Sequence, residues 1–69
     1  MSVAKVIEIT SSSKKSFEDA IQVGIERANE TVDKVLGAWI SEQKVTVDKG
    51  KISEYRVTLR VSFLLKGKG

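Results

Sequence analysis

From Tyr55 to Leu65 the chain alternates without a break. Tyr55, Val57, Leu59, Val61, Phe63 and Leu65 fall on one parity, and Arg56, Thr58, Arg60, Ser62 and Leu64 on the other. A period of two sends the first set to a single face of a β-strand, and that face needs a cover. The cover is legible upstream. Phe17, Ala20, Ile21, Gly24, Ala28, Val32 and Val35 recur at helical spacing, Ile25 widens the stripe, and Glu18, Glu26, Arg27 and Glu30 take the opposite side. Ser16 and Asp19 stand as a capping box with the shorter acidic partner. The helix is expected to run roughly five turns and to stop near Gly37. Gly24, unfavourable inside a helix, is read as a point where the sheet comes close.

The remaining elements follow. Val3–Thr10 is rich in β-branched residues and one strand long, and Thr10–Lys15, with its run of three serines, reads as a loop that leads into the cap. Asp48-Lys49-Gly50-Lys51 is the turn of a hairpin, with Gly50 free to take positive φ. With Lys49-Gly50 as a two-residue loop, Ile40 faces Leu59 and Ala38 faces Val61 on the helix side. On the other side Trp39 faces Arg60, Ser41 faces Thr58 and Gln43 faces Arg56. The fold class is therefore α+β: a β-α-β-β chain whose three-stranded antiparallel sheet wraps one amphipathic helix. A single domain spans residues 1–69, with 66–69 as a frayed C-terminal tail. Its outer sheet face carries Trp39, Val45, Val47 and Leu64, more apolar than a solvated face.

Composition excludes several functions. There is no Cys and no His, which removes disulfides, thiol nucleophiles, thiolate or imidazole metal sites and histidine-based triads. The serines at 11–13 have no ordinary base near them in sequence, so catalysis is not expected. The net charge of +3 is too mild to imply nucleic acid, and one exposed aromatic is fewer than single-strand platforms use. No apolar run approaches a membrane span and the N-terminus has no signal-peptide segment, so a cytoplasmic protein is expected, without a membrane partner. A 69-residue chain buries only about 60% of its unfolded surface, and with no covalent staple the remaining support is a homo-oligomer.

VAKVIEIT, Ser13 before the helix, DAIQVGIERANETV and EYRVTLRVSF, in that order and spacing, resemble the dodecins over nearly the whole chain. The resemblance implies a hollow dodecamer that binds and stores a small ligand between subunits without catalysis. A flavin (FMN, riboflavin or FAD) is the first candidate. In flavin-binding dodecins a Trp at the start of the second strand stacks on the isoalloxazine, and a Gln after the aromatic residue of the third strand holds the ring edge. Carried onto this chain, the Trp position falls on Gly37 and the Gln position on Arg56; the only Trp, Trp39, lies two residues later, about 7 Å along the same face. Arginine donates but does not accept, so Arg56 can reach flavin carbonyls but not the ring N–H. The resemblance thus also admits a non-flavin cage with a structural or calcium-binding role.

Two readings stand beside each site residue. Trp39 either stacks on a ligand or packs in a subunit interface with Arg60 and Val45, Arg60 supplying a cation–π contact. Arg56 either holds a ligand or pairs with Glu42 or Glu54 across subunits, with Gln43 as its cross-strand support. Glu8, Glu42, Asp48 and Glu54 lie on or beside the sheet without calcium-loop spacing, so no metal ligands are assigned within one chain. Lys14-Lys15 and Lys66–Lys68 read as solvated ends or as contacts for the phosphates of a nucleotide tail or coenzyme A.

Overall fold

The computed structural model of the chain describes residues 3–32 and 34–65. Its elements are β1 (Ala4–Ser13), α1 (Phe17–Thr31), β2 (Val35–Asp48) and β3 (Lys51–Leu64). They form one antiparallel sheet in the order β1-β3-β2. Among the described residues no helix is long and apolar enough to cross a membrane. The tail at 66–69 and its lysines lie outside the described residues.

The strict alternation of β3 follows from its central place. Paired along both edges, it has one face against the helix, and Val57, Leu59, Val61 and Phe63 are all buried there. The helix meets them with Ala20, Gly24 and Ala28, small residues one turn apart and all buried. A methyl group built on Gly24 would stand 2.8 Å from Leu59 Cδ1 and 3.0 Å from Ser11 Cβ. The glycine thus trades about 1 kcal/mol of helix propensity for direct contact between backbone and sheet. Phe17 closes one end of this layer edge-on against Tyr55, with ring centroids 5.1 Å apart.

At the helix start the Ser16 hydroxyl accepts the Asp19 N–H at 3.0 Å, half of the expected capping box. The Asp19 carboxylate takes a different partner: the Ser13 hydroxyl donates to it at 2.6 Å and accepts the Lys15 N–H at 2.9 Å. The end of β1 is thereby tied to the first helical turn.

Four expectations change. The serines at 11–13 are strand, paired with Val57, Arg56 and Tyr55, because the centre of β3 needs backbone partners on both sides. Ser11 is also small enough to sit under Gly24. The helix ends at Thr31, well before Gly37: Val32 caps it by donating to Ala28 O, and the Thr31 hydroxyl binds the same carbonyl. Val35, counted in the helical stripe, instead opens β2 opposite Phe63. Leu65 lies past the strand and is exposed, its N–H donating to Val3 O.

The hairpin turns through Lys49 (φ 52°) and Gly50 (φ 79°), two left-handed residues as a tight mirror-image turn requires. Three bulges interrupt its ladder, at Leu36, at Ser41 and, on β3, at Ser53. Ala38–Val61, Trp39–Arg60 and Ile40–Leu59 pair as expected. Beyond Ser41 the register moves by one residue, so Thr58 faces Glu42, Val57 faces Gln43, Arg56 faces Lys44 and Tyr55 faces Val45.

Candidate ligand-binding face

The sheet face opposite the helix is built in rows across β1, β3 and β2: Val6–Ser62–Gly37, Glu8–Arg60–Trp39, Thr10–Thr58–Glu42 and Ser12–Arg56–Lys44. Trp39 is 62% exposed, although indole is among the costliest side chains to leave in water. With Val6, Ser41 and Arg60 it walls a shallow hollow of about 480 Å³. The Ser41 bulge shapes this hollow. Its hydroxyl donates to Thr58 O at 3.2 Å, which holds the extra residue beside the indole.

Arg60 stands opposite Trp39 as expected, and its charge partner lies across β1: Nε is 3.7 Å from Glu8 Oε2. Arg56 occupies a separate, polar hollow of about 190 Å³ with Thr10, Glu42, Lys44 and Thr58. Its guanidinium contacts Glu54 of its own chain at 3.5 Å.

The bulge at Ser41 also corrects two placements. Gln43 does not support Arg56, because a one-residue shift sends it to the row of Val57 on the other face, where it is exposed. Val45 moves the same way, to the row of Tyr55, and is half-buried rather than part of the outer face. Gly37 remains on the outer face opposite Ser62, whose hydroxyl donates to its carbonyl at 3.3 Å. A Cβ there would meet nothing within 4 Å, so the strand above Trp39 is open ground. Sequence reasoning passed over Val6, Glu8 and Ser41 as neighbours of Trp39. Pairing of β1 with β3 would have exposed the first two, whereas nothing in the pattern marks the bulge.

The face holds donors, acceptors and an aromatic platform, but no histidine or cysteine. Among the described residues no three carboxylates stand close enough together to hold a metal ion.

A family model described as Dodecin matches residues 3–66. A relative called calcium dodecin, from Mycobacterium tuberculosis, is 43% identical over 67 residues, covering 96% of this chain and 93% of that protein. Among solved structures, a point variant of the Thermus thermophilus dodecin superposes with a TM-score of 0.92 at 29% identity, over 99% of this chain and 100% of that one. The calcium-chelating antigen calcium dodecin of M. tuberculosis, described with a novel calcium-binding site, gives 0.81 at 40% identity, over 97% and 96%. The backbone is thus nearer to one relative and the sequence to the other.

Proposed function

The chain belongs to the dodecin family, and from that membership we propose that it is an oligomeric small-ligand binding and storage protein, holding a flavin-type molecule against Trp39 without turnover. The observation that carries the reading is the exposed indole at the wall of an outer-face hollow. A single aromatic platform is worth about 1–3 kcal/mol of stacking, too little to hold a ligand alone. A second copy facing the first closes the hollow and doubles the platform, so the ligand sits between subunits of a dodecamer. The isoalloxazine shared by riboflavin, FMN and FAD supplies the flat, polarisable face that such a pair of indoles grips. The indole, packed on a flavin, also quenches its excited state by electron transfer, which protects the stored molecule. A face without histidine or cysteine supports binding rather than catalysis.

The relative called calcium dodecin favours a second reading, a cage that binds calcium. Carboxylates gathered from several copies, Glu8, Glu42, Asp48 and Glu54 among them, would then supply the oxygens that the described residues of one chain do not bring together. Thermal melting separates the two. A ligand bound only by the folded state raises the midpoint with its concentration, so the flavin reading requires a rise with riboflavin. A rise with calcium alone replaces it by the second.

A further inference from the structure

Resting on the placement of the ligand against Trp39, we infer that Arg60 and Glu8 form the edge-recognition pair of this site, selecting planar ligands that carry a carbonyl beside a ring N–H. The pair and the indole share one row across all three strands. Neighbouring strands lie about 4.8 Å apart, so a fused-ring heterocycle resting on Trp39 extends over Arg60 toward Glu8.

The hydrogen-bonding capacity of the hollow assigns the roles. The Ser41 hydroxyl is engaged with Thr58 O. The Arg60 Nε is turned to Glu8 Oε2, which leaves its two terminal amino groups as donors. Glu8 keeps its other oxygen as an acceptor, and with side chains 61% and 59% exposed both residues are within reach of solvent or ligand. Donor and acceptor side by side complement a carbonyl next to an N–H. A lone arginine would attract any anion, whereas the neighbouring carboxylate cancels that attraction and leaves the hydrogen-bond pattern to discriminate. Arg56 lacks this setting: it lies in the other hollow, without an aromatic wall, against Glu54.

The test uses Trp39, the single tryptophan, as its own reporter. Fluorescence quenching is titrated with lumiflavin and with lumiflavin methylated at the imide nitrogen. The proteins are the unaltered assembly and the variants Arg60→Gln, Arg60→Lys, Glu8→Ala and Arg56→Gln, each checked by native mass for an intact oligomer. The unaltered protein should prefer the unmethylated ring by about tenfold. Glu8→Ala should lose that preference. Both Arg60 variants should weaken binding of both probes severalfold, because each probe keeps the carbonyls that the guanidinium binds, and Arg56→Gln should change neither preference nor binding. Quenching without discrimination, or a weakening of both probes by Arg56→Gln and not by the Arg60 variants, overturns the edge pair alone. No quenching by either probe in the unaltered protein overturns the Trp39 site and the edge pair with it.

Discussion

Gly24 has Leu59 and Ser11 pressed against the space a side chain would fill. Helix propensity by itself predicts that Gly24→Ala stabilises by about 1 kcal/mol. Here the contact decides. Leu59 is 0% exposed and cannot swing away, and Ser11 is held in β1, so overpacking of about 1–3 kcal/mol outweighs the propensity gain. Denaturant unfolding of the Gly24→Ala protein should show a net loss of stability. Trp39 behaves in the opposite way: being exposed, it supports the fold little, and Trp39→Ala should leave the chain's own fold within about 0.5 kcal/mol while flavin binding disappears. A large loss of stability on that change, measured at equal oligomeric state, would mark Trp39 as structural. The close approach at Gly24 was legible in the sequence because a glycine amid helical periodicity has few other uses. The neighbours of Trp39 were not, because they arrive from β1 and from a bulge.

Among the elements, β3 was the most legible and β2 the least. A central strand with one buried face has its pattern enforced at every position, so alternation, partners and core could be read together. β2 is an edge strand with two bulges, and each bulge resets which side chains share a face. The pairs from Gly37 to Ile40 were therefore foreseen and those from Glu42 to Thr46 were not, until the Ser53 bulge restores the expected register at Val47–Ile52 and Asp48–Lys51. The single residue Ser41 moved Gln43 and Val45 off the outer face and brought Lys44 opposite Arg56. The serines at 11–13 were misread for a related reason: their local preference for turns yields to the ladder bonds that β3 offers. The hairpin turn was legible from Gly50, yet Lys49 also sits in the left-handed region, at φ 52°. Asparagine tolerates that conformation better than lysine. Lys49→Asn should raise stability by about 0.5–1 kcal/mol, visible as a higher denaturation midpoint with an unchanged slope.

The whole molecule is too open for a solitary chain. A monomer of 7.6 kDa is expected to expose about 4,300 Å², and this one exposes 5327 Å². Its radius of gyration is 14.3 Å, against about 11 Å for a compact chain of this length. The excess comes from a hairpin with 14-residue strands that runs past a 15-residue helix, in a molecule 56 Å long. Val47 and Ile52, 60% and 52% exposed near its tip, would be left in water without a neighbour. Placing charge there, with Val47→Asp and Ile52→Asp together, should dissociate the assembly and lower its thermal midpoint. A variant that assembles and melts as before would show that the tip faces solvent.

The central claim joins a family architecture to a ligand held at Trp39, and native mass spectrometry of the protein as purified, followed by a denaturing run, tests both halves at once. The account predicts a dodecamer that releases flavin-sized molecules on denaturation. An empty dodecamer, or one carrying only calcium, would contradict the flavin site, and a bare monomer would contradict the architecture itself.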